Sequence, residues 1–377
     1  MRAVVVGAGI GGLAAAVALR RVGVEPLIVE RVSHIREVGA GLSLWSNAMN
    51  ALRELGVEDR VWAAASGIDR NVSQSLSGRL VAITEFSDLS RTAGADCVCV
   101  HRAILQRILL EELPSEMVRT SAPCRDFDDS AAILEDGERI EGDFLVAADG
   151  INSVIRERLH AAEAPRYAGY TCWRGVCGEP GVLPDRTALL AAGAGSQFGL
   201  WPCGEGQLYW FLTKKAPSGT KKSKAEIVAL CRHWAAPIPR VIASTPESAI
   251  LQNDIVDRPP LRWWGRGRVT LLGDAAHATT PNLGQGACQA IEDAVVLADC
   301  IRRIQPVQAA LREYERLRIP RATMIVRSSL QSGRMLQLDQ PILEALRDWF
   351  MATALGKHLA LRMFRELLTY RVPELRP

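Results

Sequence analysis

The stretch that decides the fold is MRAVVVGAGIGGLAAAVALRRVG, residues 1–23. A buried-strand run, Ala3 to Val6, leads into the pattern Gly7-x-Gly9-x-x-Gly12, and apolar residues then recur at helical spacing. In such a unit the first glycine permits a tight turn, the second lets the backbone approach a pyrophosphate, and the third lets the helix pack closely on the strand. The segment predicts a dinucleotide site at the helix N-terminus, with cofactor contacts from Gly7, Gly9, Gly11 and Gly12.

The next segment, EPLIVE at residues 25–30, supplies a second strand that ends in an acid. Glu30 lies about 20 residues beyond the glycines, where an acid accepts hydrogen bonds from ribose hydroxyls and disfavours a 2′-phosphate. NAD or FAD therefore fits this site better than NADP. The adjacent Arg31, which we also assign to the cofactor site, weakens that preference.

A second unusual turn is GDAAHATTPNLGQG, residues 273–286, between a strand-like run at 268–272 and a helix-like run at 288–303. A plain turn needs only Gly, Pro or Asn to supply its dihedral angles. The acid at Asp274 and the glycines at 284 and 286 indicate a ligand at the start of the following helix.

The order of these motifs resembles that of the FAD-dependent aromatic hydroxylases of the para-hydroxybenzoate hydroxylase type, near urate and salicylate hydroxylases and zeaxanthin epoxidase. The matching segments are GxGxxG, VHRAILQRILLEEL (100–113), DFLVAADGINSVIR (143–156) with its DG pair, and the GD pair at 273–274. The resemblance spans nearly the whole chain. It implies an α/β fold with a Rossmann-like FAD-binding domain, an inserted β-sheet substrate domain and C-terminal helices.

The expected FAD-binding domain is discontinuous and comprises residues 1–70, 98–163 and 266–330, whereas residues 71–97 and 164–265 form the substrate-binding β-sheet domain. The second domain is rich in strand patterns, and five of the nine tryptophans are expected in its sheet, at 173, 201, 210, 263 and 264. Residues 331–377 show apolar positions at helical spacing and predict a helical cap over the domain junction. A membrane-surface or dimer contact is the alternative for this segment.

The resemblance also implies roles for particular residues. Asp274 would hydrogen-bond a ribityl hydroxyl, Pro281 would lie beside the reactive edge of the flavin ring, and Asp149 would help organise FAD and the nicotinamide approach. The backbone around Leu283, Gly284, Gln285 and Gly286 would face the flavin pyrimidine edge, where reduction places negative charge. Arg102 and Ser43 would also contact the cofactor. Arg156 would anchor its turn, and we expect His277 to be structural.

The candidates for substrate contact are Arg174, Gln197, Tyr209 and Pro281. Gln197 stands where urate-hydroxylating relatives have an arginine, which argues against urate or another strongly anionic ring. A phenolic substrate would react faster after losing its proton, so a base or relay is expected, but no residue of the sequence identifies it.

The implied reaction uses NADH or NADPH to reduce FAD and O2 to form a flavin C4a-hydroperoxide, which hydroxylates a small aromatic or heteroaromatic substrate. The sequence has no second GxGxxG segment followed by a helix, so the nicotinamide donor is expected to bind transiently on the surface. Epoxidation or N-oxidation on the same fold stays open. A non-catalytic dinucleotide-fold binding protein is a further alternative.

Composition excludes several other classes of protein. A net charge of +3 over 377 residues gives no footprint for nucleic acid, and no apolar run is long enough for stable membrane insertion. The nine cysteines lack a CxxC pair and the six histidines are dispersed, so we expect no metal and a reducing, cytoplasmic location. The expected assembly is a monomer or a homodimer.

Overall fold

The structure is a computed structural model that describes residues 1–35, 40–179 and 181–375. The strands of the described residues are, in chain order, β1 (Arg2–Val6), β2 (Glu25–Val29), β3 (Gly41–Leu44), β4 (Ser66–Gly67), β5 (Arg70–Ser75), β6 (Leu80–Glu85), β7 (Val98–His101), β8 (Val118–Arg119), β9 (Cys124–Asp128), β10 (Ala131–Leu134), β11 (Arg139–Ile140), β12 (Phe144–Ala147), β13 (Arg166–Cys177), β14 (Thr187–Gly193), β15 (Ser196–Pro202), β16 (Leu208–Lys215), β17 (Leu251–Asp257) and β18 (Val269–Leu271).

The α-helices of the same residues are α1 (Ile10–Arg21), α2 (Ser46–Glu54), α3 (Glu58–Ala63), α4 (Ser87–Ala93), α5 (Arg102–Glu111), α6 (Val154–Leu159), α7 (Lys224–Cys231), α8 (Ile238–Ser244), α9 (Asp274–His277), α10 (Gly286–Arg303), α11 (Val307–Leu336), α12 (Pro341–Ala352) and α13 (Ala354–Leu368). Short 3-10 helices lie at Ser115–Met117, Glu247–Ala249 and Pro281–Leu283. None of the helices in the described ranges is long and apolar enough to cross a membrane.

A five-stranded parallel sheet in the order β18-β12-β1-β2-β8 carries the first motif. The central strand β1 pairs with β2 and β12, and its four residues after Arg2 are fully or almost fully buried, as both faces of a parallel sheet usually are. α1 and α10 pack on each other, and each follows a turn at the carboxyl edge of this sheet. The Rossmann-like α/β fold expected from the sequence is confirmed.

The second large layer is a seven-stranded sheet in the order β17-β13-β16-β15-β14-β5-β6. Its strands come from residues 70–85 and 166–257, and β14 with β5 is its parallel pair. One face buries Trp173, Phe198 and Trp210 together with apolar residues of α7 and α8. The opposite face is turned toward the first layer.

Two of the tryptophans expected in this sheet lie elsewhere. Trp263 and Trp264 follow β17 and precede β18. Trp264 is buried in the core of the first layer beside Tyr314, at 5.6 Å between ring centroids, and Trp263 lies over the ring of His160. The aromatic count alone could not distinguish a strand from the segment that returns the chain to the parallel sheet.

The C-terminal part of the described chain is helical. α11 runs without a break through residues 330 and 331, where the FAD-binding domain was expected to end. α12 and α13 then pack against each other and against β6 of the seven-stranded sheet.

Candidate functional site

A cavity of about 580 Å³ lies between the carboxyl edge of the parallel sheet and the inner face of the seven-stranded sheet. We call its two sides the turn wall, formed around residues 9–11 and 273–287, and the sheet wall, formed by the cavity-facing residues of β13, β15 and β16. The cavity brings together these residues that the sequence predicted: Gly9, Gly11, Ser43, Arg102, Arg174, Gln197, Tyr209, Asp274, Pro281, Leu283, Gly284 and Gly286.

The remaining predicted residues do not line the cavity: Gly7, Gly12, Glu30, Arg31, Asp149 and Gln285. A Cβ at Gly12 would collide with the carbonyl oxygen of Gly7, so this pair serves the packing of the turn. A Cβ at Gly9 would meet no atom of the described residues within 4 Å, which leaves room for a ligand at the start of α1. The Gln285 side chain is buried and receives a hydrogen bond from Asn47 Nδ2 at 3.0 Å, so it ties α10 to α2.

Glu30 lies at the end of β2 in an orientation fixed by the backbone. Its carboxylate accepts hydrogen bonds from the N–H groups of Ala8, at 2.7 Å, and Val32, at 3.1 Å. Arg31 is exposed. The carboxylate is therefore held against the first glycine turn, and its contact with a ribose stays a prediction.

Asp149 carries a buried oxygen that no protein group satisfies. Its Oδ2 accepts a hydrogen bond from the Val154 N–H at 2.9 Å, whereas Oδ1 has no partner among the described residues. Burial raises the pKa of this carboxyl, and its two chain neighbours, Ala148 and Gly150, line the cavity. An orphaned acceptor costs free energy unless a donor reaches it, which fits a bound group with hydroxyl or N–H donors.

The turn that begins at Gly273 is held from below by one carboxylate. Gly273 has φ +61°, a conformation that favours glycine, and its N–H donates to Asp293 Oδ2 at 3.1 Å. His277 closes the same turn, since its Nε2 lies 2.6 Å from Asp293 Oδ2. His277 is buried and is not among the described residues that line the cavity, so it supports the turn instead of facing a ligand.

Asp293 belongs to a buried cluster that we call the ion network: His277, Glu292, Asp293, Arg318 and Arg321. Arg318 is fully buried and donates to Asp293 Oδ1 and Glu292 Oε2, both at 2.6 Å. Desolvation alone would raise the pKa of Asp293, but the charges of His277 and Arg318 outweigh it and lower the pKa to about 2. The turn wall therefore rests on carboxylates that stay ionised and are fully hydrogen-bonded.

Arg156 connects the DG segment to the same turn. Its Nη1 donates to the carbonyl oxygens of Ala275 and Ala276, at 3.1 and 3.2 Å, and Ser153 caps the helix on which it lies. Burial lowers the pKa of Arg156 to about 10, so it stays charged at neutral pH. Two segments separated by more than a hundred residues are thus fixed relative to each other.

Asp274 and Arg102 face each other across the cavity. Both side chains are accessible within it, although protein atoms surround them closely. Desolvation raises the pKa of Asp274, and the charges of His277 and Arg102 oppose that shift. Because the Asp274 carboxylate is exposed to the cavity, a ligand that covers it must supply a hydrogen-bond donor to offset the desolvation that this covering causes.

The sheet wall consists of three cross-strand rows set by the strand register. The rows, each read across β13, β16 and β15, are Cys172–Thr213–Gln197, Arg174–Phe211–Gly199 and Val176–Tyr209–Trp201. Gly199 has a steric role here, because a Cβ would collide with the rings of Trp201 and Phe211. These two rings stack at 5.3 Å between centroids and give the wall a flat apolar surface.

Polar atoms without protein partners interrupt that apolar surface. Within the described residues, Gln197 Oε1, Asn71 Oδ1 and Trp201 Nε1 are buried and unpaired, and all three residues line the cavity. Arg174 has no carboxylate within ion-pair distance in the described chain, and its Nε donates to Cys172 Sγ at 3.3 Å. Burial raises the pKa of that thiol, so it stays neutral and leaves the arginine charge uncompensated.

Among the cavity residues that the sequence reasoning missed are Asn71, Trp45 and Phe364. Trp45 Nε1 donates to the Leu283 carbonyl at 3.1 Å and pins the second turn, and Phe364 reaches the cavity from α13 beside Phe86. An asparagine in a short strand and a phenylalanine in an amphipathic helix give no local sign of such a role. Only the fold brings them to the site.

Comparison with known proteins agrees with this geometry. Residues 1–329 match the profile of a family described as FAD binding domain. The chain is 41% identical to aurachin C monooxygenase/isomerase of Stigmatella aurantiaca over 371 residues, which cover 96% of this chain and 97% of that protein. It is 34% identical to the FAD-dependent urate hydroxylase of Klebsiella pneumoniae over 364 residues, 92% of this chain and 95% of that protein.

A solved structure of Klebsiella pneumoniae HpxO with FAD and uric acid superposes with a TM-score of 0.91. It is 30% identical in sequence, and the match covers 98% of this chain and 97% of that one. Both the flavin-bound fold and the arrangement of its two large layers are therefore shared over nearly the entire chain.

Proposed function

Because this chain belongs to the family of FAD-dependent aromatic hydroxylases, and is an FAD-dependent monooxygenase of that family, we propose that it uses NAD(P)H and O2 to hydroxylate a small aromatic or heteroaromatic compound. The observation that carries the proposal is a single cavity with the glycine turns and Asp274 on one side and a stacked aromatic surface on the other. Such a cavity has room for a flavin edge and a planar ring in contact.

The turn wall would hold the cofactor. Asp274 would accept a hydrogen bond from a ribityl hydroxyl, Asp149 Oδ1 would receive the donor it lacks, and Gly9 would leave space for the pyrophosphate. Backbone N–H groups near Gly284 and Gly286 would face the ring edge that becomes negative on reduction. When bound, FAD supplies the chemistry of accepting a hydride from the nicotinamide and passing one oxygen atom of O2 to the substrate.

The sheet wall would hold the substrate. Trp201 and Phe211 offer a flat surface for a planar ring, and the acceptors Gln197 Oε1 and Asn71 Oδ1 would receive N–H or O–H groups from it. Burial raises the pKa of Tyr209, so its phenol is neutral and able to donate a hydrogen bond. Pro281 lies on the opposite wall, on the flavin side.

Arg174 changes the expected charge of the substrate. The expectation against anionic rings rested on Gln197 alone, yet Arg174 reaches the same cavity from β13 without a carboxylate partner in the described residues. A ring with one oxygen that is ionised, or becomes so during hydroxylation, would satisfy this charge. We therefore propose a phenol or a hydroxylated N-heterocycle that carries an oxygen toward Arg174 and a donor toward Gln197.

The cofactor side is tested by titrating FAD into wild-type protein and the Asp274→Ala variant. Loss of a hydrogen bond to a charged group should weaken FAD binding roughly 10- to 100-fold. The matched control is Asp88→Ala, because this exposed carboxylate pairs with Arg91 on the surface of α4. Equal FAD affinity in all three proteins would contradict the proposed role of Asp274.

The reaction is tested by following NADH and NADPH oxidation with phenols, N-heterocycles and quinolones, followed by product analysis with labelled O2. Incorporation of one labelled oxygen on a ring carbon supports hydroxylation. An epoxide or an N-oxide as the product would show that the enzyme carries out epoxidation or N-oxidation and not ring hydroxylation. Hydrogen peroxide without an oxygenated product would contradict the proposed substrate class. The same proposal includes a transient surface site for the nicotinamide and a cytoplasmic location, where NAD(P)H is available. It also includes assembly as a monomer or a homodimer.

A further inference from the structure

α12 is an amphipathic helix whose apolar side faces solvent and whose charged side faces the protein. Its charged residues Glu344, Arg347 and Asp348 point toward the protein, and Arg347 and Asp348 are buried. Its large apolar side chains point outward: Ile342 is 76% exposed, Trp349 67% and Leu346 55%. A surface helix of a globular protein normally has the opposite arrangement.

Specific hydrogen bonds fix this orientation. Glu344 Oε1 accepts the Ala194 N–H at 2.8 Å, and Asp348 Oδ2 receives Arg79 Nη2 at 2.9 Å. Arg347 donates to the Met335 carbonyl at 3.2 Å and to Asp348 at 2.8 Å. Rotation of α12 to bury its apolar face would break the contacts with Ala194, Arg79 and Met335, so these hydrogen bonds favour the outward apolar face.

The apolar surface extends beyond α12. Leu355 and Leu359 of α13 are 58% and 44% exposed, and Leu80 and Ile83 of β6 are 57% and 46% exposed. Both α12 and α13 pack on β6 and on each other, so these exposed apolar side chains lie on adjoining elements. We call this surface the apolar face, defined by Leu80, Ile83, Ile342, Leu346, Trp349, Leu355 and Leu359. Exposed apolar areas of this kind usually mark an interaction site.

The charges around the apolar face favour one kind of partner. The exposed charged side chains of α12 and α13 are Lys357, Arg362, Arg365 and Glu366. β6 adds the exposed acid Glu85, so the three elements carry three basic and two acidic exposed side chains, and the margin has a small net positive charge. A second copy of the chain would bring the same basic residues toward each other, whereas an anionic lipid surface would attract them. An exposed tryptophan beside leucines and basic residues is also the composition of a helix that lies in a membrane interface.

We propose that the apolar face docks on the surface of an anionic lipid bilayer, with α12 and α13 lying in the interface and no segment crossing it. The apolar face shares helix α13 with the cavity, so docking would affect how substrates reach the cavity. Phe364 of α13 lines the cavity, and its ring contacts Phe86 at 5.2 Å, so the helix that would touch lipid also forms part of the site. Docking would therefore place the cavity near apolar substrates dissolved in the membrane.

The test is flotation of the FAD-loaded, full-length protein with vesicles of phosphatidylcholine, or of phosphatidylcholine mixed with phosphatidylglycerol. Wild-type protein should float with the anionic vesicles and be released by salt. The combined variant Ile342→Ser, Leu346→Ser, Trp349→Ser should lose on the order of 100-fold in partitioning, since three apolar side chains no longer enter the interface. Trp62→Ser, at a tryptophan that is 44% exposed on α3, is the control and should bind as wild type.

The charge contribution is tested separately by Lys357→Gln combined with Arg362→Gln. Loss of two basic residues near the lipid should weaken binding to anionic vesicles roughly 30-fold. The control variant Arg262→Gln combined with Arg266→Gln removes the same charge from the exposed loop between β17 and β18 and should have no effect. Equal losses in both variants would mean non-specific attraction and would overturn the proposal.

A spectroscopic readout remains decisive even where the serine variant folds poorly. Brominated acyl chains should quench part of the wild-type tryptophan fluorescence, and Trp349→Phe should bind the vesicles equally but lose that quenched part. Absence of vesicle binding would overturn lipid docking. A concentration-dependent dimer that the serine variant abolishes would also overturn it, and would show that a second copy of the chain covers the apolar face. FAD content and activity on a water-soluble phenol are measured in parallel and would be unchanged, because docking is independent of the reaction proposed above.

Discussion

The turn wall and the sheet wall of the cavity treat their buried polar groups differently. Beneath the turn wall, Arg318 is fully buried between Glu292 and Asp293 with every contact at hydrogen-bond distance. On the sheet wall, Gln197 Oε1 and Trp201 Nε1 are buried without partners in the described chain. Since an unsatisfied buried group costs free energy, the sheet wall is complete only with a substrate. The ion network beneath the turn wall, in contrast, is complete before any ligand arrives, although Thr279 Oγ1 of the turn wall and the nearby Asp149 Oδ1 still lack partners among the described residues.

The strongest way to break this contrast is to remove Arg318. Arg318→Ala would remove the buried cation that Glu292 and Asp293 share, leaving Arg321 beside Glu292 and His277 beside Asp293, and should lower the free energy of unfolding by about 3 to 5 kcal/mol. Urea denaturation measures the change. Arg316→Ala is the control because its pair with Glu313 is exposed on the same helix, and it should change stability by less than about 1 kcal/mol. Similar losses of stability in both variants would show that the buried ion network stabilises the fold no more than an exposed ion pair does.

Acid should weaken the turn wall next. The pKa of Asp293 is lowered to about 2 in the folded protein, below the value near 3.9 of an unfolded chain. A lowered pKa stabilises the fold above pH about 4, and this contribution, about 2 to 3 kcal/mol, is lost as the pH falls toward 2. Unfolding of wild type and Asp293→Asn is compared across this range. The gap in stability between them should narrow as the pH falls, and a constant gap would contradict the lowered pKa.

Gly9 and Gly12 of the first motif allow the packing role and the cofactor role of this turn to be compared. Gly12→Ala should destabilise the protein by about 1 to 3 kcal/mol even without cofactor, because its Cβ collides with the Gly7 carbonyl. Gly9→Ala has open space around it and should leave the stability of cofactor-free protein unchanged while weakening FAD binding. Thermal unfolding and FAD titration of both variants separate packing from cofactor contact. Unchanged FAD affinity in Gly9→Ala would place the pyrophosphate elsewhere.

A small change in stability and a modest loss of activity are expected from a substitution on the sheet wall. Gln197→Met keeps the size of the side chain and removes its unpaired oxygen. The free energy of unfolding should therefore stay the same or increase by up to about 1 kcal/mol. The kcat/KM for the substrate should nevertheless fall roughly tenfold, because one hydrogen bond to the ring is lost. A clear loss of stability would mean that Gln197 has a structural partner after all.

The fold was predictable because its decisive signals are local. The residues 2–6, the glycines and Glu30 follow one another within thirty positions, and motif order along the chain indicated the rest. The tryptophans at 263 and 264 were placed wrongly because ring size says nothing about which layer a segment joins. The ion network was also out of reach, since Arg318 meets Glu292 and Asp293 only after α10 and α11 pack.

The site was predictable on the turn wall and less so on the sheet wall. Asp274, Gly284 and Gly286 stand in one short segment whose composition indicates a ligand, and all of them line the cavity. The substrate side depends on register: Arg174 and Gln197 come together only because β13 and β15 flank β16. Asn71 arrives from a strand nearly a hundred residues earlier than β13, and Phe364 from a helix whose apolar pattern predicted a helical cap, with a membrane-surface or dimer contact as the alternative.

The most direct measurement of the central claim is a crystal structure of the protein with FAD and a phenolic ligand. We predict the flavin ring between Pro281 and the sheet wall, with Asp274 bonded to the ribityl chain, Asp149 Oδ1 paired, and the ligand oxygen facing Arg174. A flavin bound outside this cavity, with Asp149 Oδ1 still unpaired and Arg174 away from the ligand, would contradict the account.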